Sequence, residues 1–423
     1  PTAFHAVENY RQILNADGFK ELLESEHWDI VPGGKYYVTR NNTSILAFKV
    51  GTKLDNYSFN IVTSHTDSPT FKVKENAEIE VKNKYTQLNT EGYGGMLCAT
   101  WLDRPLSIAG RVLVSEGNSI VTKLLNIDRD LLMIPNVAIH MNRAANDGFK
   151  YNLQVDMLPL LSGGDDRQKD FKQIIADELG VKKEDILGHD LYLYNRMAPS
   201  IWGANEEFIS AGHLDDLQCG FASLKALLAG YNDESIDIMA CFDNEEVGSG
   251  TKQGADSTLL RDTLIRINNA LGKTEEDYHR ALASSFMLSA DNAHAVHPNH
   301  PEHTDVTNCT YMNEGVVVKS HAGQKYTSDG VSMAVVKSLA SGADVPLQYF
   351  ANRSDKAGGS TLGNIAMAQA SMNAVDIGLP QLAMHSSYET AGIKDTYYAI
   401  ALMKALFDSH IQETSTHSLE IKR

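Results

Sequence analysis

Two adjacent carboxylates, Glu245 and Glu246, follow the apolar run Ile236-Asp-Ile-Met-Ala-Cys-Phe242. Such a run reads as a buried strand, and ligand-binding groups of open α/β sheets collect beyond the carboxyl ends of strands. Neighbouring acids repel each other unless a cation holds them. A bound metal, with one Glu as ligand and the other as general base, accounts for both residues.

Matching groups sit at other strand ends and helix starts: His65-Thr-Asp67, His213-Leu-Asp-Asp216, Asp291 and His385. They offer imidazoles and carboxylates without a thiolate. That mixture suits zinc, cobalt or manganese in a hydrolytic centre rather than a structural zinc or iron–sulfur site. Each fragment alone is weak, since a His-x-Asp is commonly a turn and Asp215-Asp216 could simply cap the helix that follows. Together they suffice for a pair of metals, which needs a bridging carboxylate and private ligands on each side.

The elements that must position these groups are legible in outline. A helix opens the chain, from the spacing of Val7, Tyr10, Ile13 and Leu14. Strand-like runs follow at 35–39, 44–50 and 58–63, the last leading into Ser64-His-Thr-Asp-Ser-Pro69. From 70 to 211 the pattern turns mostly to β, with runs at 78–82, 119–125 and 131–140 and turn signals such as Ser162-Gly-Gly-Asp165. From His213, helices expected at 217–230, 257–271, 331–340, 361–373 and 397–410 alternate with strands at 236–242, 286–290, 315–319, 346–350 and 381–384. That alternation implies an α/β fold, a mixed sheet sandwiched by helices. The β-rich stretch reads as an insertion, dividing the chain into 1–72 plus 212–423 and an inserted 73–211. Residues 415–423 read as a loose tail.

Composition narrows the partners. The net charge of −17 argues against nucleic acid and anionic membranes. No apolar run reaches the ~18 residues needed to span a bilayer. The four cysteines are widely spaced, which fits reduced thiols and a cytoplasmic setting.

The motifs Ser64-His-Thr-Asp-Ser-Pro69, Leu214-Asp-Asp-Leu217, Asp243-Asn-Glu-Glu-Val-Gly-Ser249, Ser289-Ala-Asp-Asn-Ala-His-Ala-Val-His-Pro298 and Gln381-Leu-Ala-Met-His-Ser386 resemble the M18 family of aspartyl aminopeptidases, in order and over nearly the whole chain. The resemblance implies a metallo-aminopeptidase-type fold with a β-rich dimerisation domain, assembled as a tetrahedral dodecamer of dimers. It implies two divalent ions, zinc first, with cobalt or manganese compatible. Asp215 would bridge them; His65 and Asp291 would complete one shell, Glu246 and His385 the other. Asp67 would orient His65, and Glu245 would be the base. Asp216 stands where some relatives have Asn, so a shift of the bridge to Asp216 stays open. The resemblance further assigns His140 to a neighbouring subunit's site, where it would help hold the oxyanion. It places Lys319, Gly359, Ser360 and His297 against substrate.

The implied reaction removes an N-terminal Asp or Glu from a peptide. Water between two dications loses its proton more easily than bulk water. Glu245 would take that proton and pass it to the departing amine. An acidic substrate needs a local cation in so acidic a chain, hence the interest in Lys319, although a strand-end lysine on the surface is as common. The alternatives are a family member preferring neutral residues such as Leu, and a catalytically silent assembly shell. His294, His297, His300 and His303 recur every third residue, but Pro298 and Pro301 forbid one helix face. Lys356-Ala-Gly-Gly-Ser-Thr-Leu-Gly363 lacks the order of a phosphate-binding loop.

Overall fold

A computed structural model describes residues 1–164 and 170–423. The turn expected at Ser162-Gly-Gly-Asp165 runs into the gap, and Asp165 lies outside the described residues.

The largest sheet has nine strands. Its order is Lys20–Leu22, Lys35–Arg40, Ser44–Val50, Ser235–Phe242, Ser58–His65, Phe286–Ala290, Asn373–Gly378, Val316–Lys319 and Leu347–Phe350. The central strands Ser235–Phe242, Ser58–His65, Phe286–Ala290 and Asn373–Gly378 run parallel. Antiparallel neighbours flank them, so the sheet is mixed. The central strands are apolar on both faces because helices cover both. Val62, Met239 and Cys241 face the helices Ala3–Ala16, Leu214–Ala229, Gly330–Gly342 and Asp395–Phe407. Phe59, Ile61, Ile238 and Phe242 face Leu259–Ala270, Glu275–Ala283 and Leu362–Gln369.

A second sheet is antiparallel. Its order is Ser119–Asn126, Leu106–Glu116, Ile186–Asn195, Thr70–Val81, Tyr85–Tyr93 and Leu160–Gly163. It has its own core, where Phe71, Leu88, Trp101, Ile108 and Leu191 meet the helix Phe171–Leu179. A third sheet orders Ser200–Trp202, Phe208–Ala211, Glu389–Gly392, Pro380–Leu382 and Ala293–His294. Its hairpin between Pro380–Leu382 and Glu389–Gly392 carries His385.

Three expectations need correction, and one helix was not foreseen. Residues 415–423 are not a loose tail, because His410–Ser415 and Ser418–Lys422 pair as a hairpin. The alternation of Leu419 and Ile421 lets that hairpin rest on the core. The expected helix 361–373 stops at Gln369, and Asn373–Gly378 is a central strand. The run 131–140 forms only isolated bridges at Leu132, Met133 and Ile134 before an exposed loop. The helix Glu275–Ala283 was not expected; Thr274 and Asp277 start it with a reciprocal capping pair.

Candidate metal centre

Five side chains from five chain segments converge. His65 ends a central strand, and its Nε2 lies 3.3 Å from Asp215 Oδ1 and 3.9 Å from Asp291 Oδ1. His385 Nε2 lies 3.6 Å from Asp215 Oδ2 and 3.2 Å from Glu246 Oε2. Asp215 is thus common to two triads, His65–Asp215–Asp291 and Asp215–Glu246–His385, in each of which the offered ligand atoms lie within 4.8 Å of one another. Asp216 points elsewhere: its Oδ2 accepts the backbone N–H of His65 at 3.1 Å.

The donor chemistry fits divalent cations. Asp215 Oδ1 and Glu246 Oε1 are buried without a hydrogen-bond partner, an arrangement that is costly unless something satisfies them. Burial, then the charges of Asp291, Asp67 and Asp215, push the Glu245 carboxyl up to about 8, against the pull of His65. Burial and Asp215 push Glu246 up as well. Burial would also raise Asp291, but Lys319 and His65 hold it below the ordinary carboxylate range. A cluster of acids that strain to hold protons is one that a dication relaxes.

Asp67 organises the loops around this centre. His65 Nδ1 lies 3.1 Å from its backbone oxygen and 3.4 Å from Oδ1. Its two carboxylate oxygens accept the backbone N–H groups of Glu245 and Glu246, each at 3.1 Å. Tyr93, on the antiparallel sheet, donates its hydroxyl to Asp67 Oδ2 at 2.7 Å and accepts from Asn244 Nδ2 at 2.7 Å. A cavity of about 350 Å³ borders Asp67, Tyr93 and Asn244 but none of the five converging side chains.

Of the remaining predicted residues, Lys319 adjoins the converging side chains. Lys319 is buried; its Nζ donates to Asn292 O at 2.8 Å and lies 3.7 Å from Asp291 Oδ2. Gly359 and Ser360 lie exposed beside Thr361, whose hydroxyl donates to Asp376 Oδ1 at 2.6 Å. His297 is exposed and its ring sits 5.4 Å from that of His300. His300, Glu302 and His303 form a separate exposed grouping of potential ligands. His140 lies on an exposed loop and is not part of either triad.

The layer behind the converging side chains was not legible in the sequence. Glu389 accepts the backbone N–H groups of Asp215 and His385. Asp376 is fully buried and accepts from Ser289 Oγ, Thr361 Oγ1 and Thr327 Oγ1 at 2.6–2.8 Å. The available signal was an acid inside an apolar run, as in Ala374-Val-Asp-Ile-Gly378.

Residues 1–407 match the family described as aminopeptidase I zinc metalloprotease, M18. A probable M18 family aminopeptidase 2 of Clostridium novyi is 47% identical over 414 residues, covering 96% of each chain. A chain in the cryo-electron-microscopy structure of the Ape4 and Nbr1 complex superposes with a TM-score of 0.93 at 35% identity, covering 96% of this chain and 83% of that one. The Saccharomyces cerevisiae mApe1 dodecamer superposes with a TM-score of 0.84 at 28% identity, covering 96% of this chain and 93% of that one. The chain belongs to the M18 family and has the fold of its metallo-aminopeptidases.

Proposed function

We propose that this M18 aminopeptidase releases N-terminal Asp or Glu from peptides at a centre of two divalent ions, zinc in the first instance. The observation that carries the reading is the sharing of Asp215 between the two triads. One ion would be held by His65, Asp215 and Asp291, the other by Asp215, Glu246 and His385. Divalent ions bound there supply Lewis acidity, acidifying water and polarising a carbonyl. Glu245 stands next to Glu246 with its backbone tied to Asp67, and its carboxylate lies in one group with the His65 ring and the Glu246 carboxylate, their potential ligand atoms within 4.8 Å of one another. It would collect the proton from the attacking water and return it to the leaving amine.

The remaining assignments belong to the same reading. Residues 1–72 and 212–423 would form the catalytic unit and 73–211 a dimer-building insertion. His140 would reach a neighbouring subunit's centre and donate to the oxyanion. In support, its loop exposes Val137, Ile139 and Met141, apolar side chains that a partner would cover. A dodecamer is supported by the yeast relative. A cytoplasmic setting is supported by the unpaired cysteines Cys98, Cys219, Cys241 and Cys309. Among the described residues, no helix is long and apolar enough to cross a membrane.

Lys319 would attract the acidic side chain, with Gly359, Ser360 and His297 lining the substrate. A preference for neutral residues such as Leu is the competing reading, and the engagement of Lys319 with Asn292 and Asp291 favours it. A silent shell is disfavoured by the presence of Glu245 and all five converging ligands. Hydrolysis of Asp-, Glu-, Leu- and Ala-para-nitroanilide, with chelator and with re-added zinc, cobalt or manganese, decides among these. Chelator-sensitive cleavage favouring Asp and Glu is expected. Preference for Leu would reject the acidic pocket, and no cleavage with any metal would favour the shell.

A further inference from the structure

The hairpin that carries His385 also carries a buried carboxylate that is not among the converging ligands. Glu389 is 2% exposed. Its Oε2 accepts the backbone N–H of Asp215 at 3.0 Å. Its Oε1 accepts the backbone N–H of His385 at 2.8 Å and the side-chain amide of Gln381 at 3.3 Å. One side chain therefore ties together the main chains of two residues 170 positions apart (385 − 215), each offering a carboxylate or imidazole to the same triad.

We infer that Glu389 is a positioning residue that fixes the distance between Asp215 and His385 and so sets the affinity of the ion they share. The inference rests on the metal-centre reading above and concerns which residue builds that centre.

The chemistry of the side chain supports this. Asp215 and His385 present N–H donors to the two separate oxygens, so both oxygens must accept. Only a carboxylate offers that; an amide replaces one acceptor with a donor and sets N–H against N–H. His385 also needs an anchor, because its backbone is left-handed at φ 66°, a conformation that a residue with a Cβ adopts only when its surroundings hold it there. Its ring is held separately, with Nδ1 2.8 Å from Gly95 O, so ring and backbone have independent supports. Gln381 extends the tie: its Oε1 accepts from Asn292 Nδ2 at 2.8 Å. Asn292 follows Asp291 and donates also to Leu214 O at 3.1 Å. Outer groups that orient ligands commonly change metal affinity by ~10–100-fold when removed.

The test compares the full-length chain with its Glu389→Gln variant. Cobalt is titrated into the metal-free proteins by calorimetry and visible absorption, and kcat and KM are then measured at limiting and excess cobalt. The expected result is at least a tenfold weaker affinity for one of two ions with an altered absorption band. KM should stay within about twofold, while kcat falls and partly recovers with excess cobalt. Unchanged affinity and spectrum would overturn the inference, as would a loss of kcat that excess metal does not relieve. Should Glu389→Gln fail to fold, Glu389→Asp decides: it keeps the charge but shortens the reach, so that both backbone bonds cannot be kept. A weaker affinity for the same ion is then expected, and unchanged affinity overturns the inference. Calorimetry reads ions directly. A parent protein that binds two ions but cleaves no tested peptide therefore rejects the proposed substrate without touching Glu389, whereas a parent that binds none rejects both.

Discussion

The hydroxyl of Tyr93 donates to Asp67 Oδ2 at 2.7 Å, which joins the antiparallel sheet to the loop that follows His65. Because Asp67 also accepts from the main chains of Glu245 and Glu246, the placement of both glutamates depends on one buried carboxylate. Asp67→Asn turns one acceptor into a donor that faces a backbone N–H. Activity should fall ~10–100-fold and metal should bind more weakly; Tyr93→Phe should show a milder loss. Chelator competition checks both, and a parent-like Asp67→Asn would remove Asp67 from the supporting role.

Glu245→Gln keeps the shape of the side chain and removes the proton acceptor. Turnover should drop by ~10²–10⁴-fold with metal content unchanged. Near-normal turnover would take Glu245 out of the base role.

Lys319→Ala separates two roles. If Lys319 reads an acidic first residue, the ratio of kcat/KM for Asp over Leu substrates should fall by about tenfold or more, the ~1.4 kcal/mol scale of a single charge contact in a partly screened site. An equal loss for both substrates would mean that Lys319 serves only Asp291, which lies 3.7 Å from its Nζ.

Acid should loosen the antiparallel unit first where Asp190 holds Lys72 and Arg111, each at 2.9 Å. Burial pushes its carboxyl up, but those cations hold it below its ordinary value. The unfolded chain then binds more protons than the folded one, so stability rises with pH and is lost as pH falls from about 4, the unfolded carboxylate value, downward. Asp190→Asn should flatten the dependence of the denaturation midpoint on pH in that window; an unchanged slope would contradict the assignment.

The C-terminal hairpin should contribute to stability. Ile411 is buried in the core shared with Phe407 and Leu406, so Ile411→Ala should cost ~2–5 kcal/mol. Chemical denaturation measures it, and a loss below ~0.5 kcal/mol would mean the hairpin is dispensable.

Four of the converging side chains were legible in the sequence because His65 and Asp291 sit at the ends of apolar strands, Glu246 lies just past another and Asp215 opens a helix; His385 instead sits in a hairpin of the third sheet. His65 ends the strand Ser58–His65 and pairs with Phe242 at the end of the neighbouring parallel strand, which brings the loop carrying Glu246 beside it. Glu389 was not legible, because its function lies in backbone groups supplied by Asp215 and His385, and those meet only when the third sheet closes. The strand Asn373–Gly378 was missed for a related reason. Its six residues contain Asp376, a polar break in an apolar run, whose partners Ser289, Thr327 and Thr361 come from elsewhere in the chain. The hairpin at 410–422 was hidden because only alternate residues of so polar a segment touch the core.

Sharing of Asp215 between two ions is checked by elemental analysis of purified protein. Two divalent ions per chain are expected in the parent, with loss of both in Asp215→Ala and the fold retained by circular dichroism. One ion per chain in the parent, or two ions kept by Asp215→Ala, would contradict it.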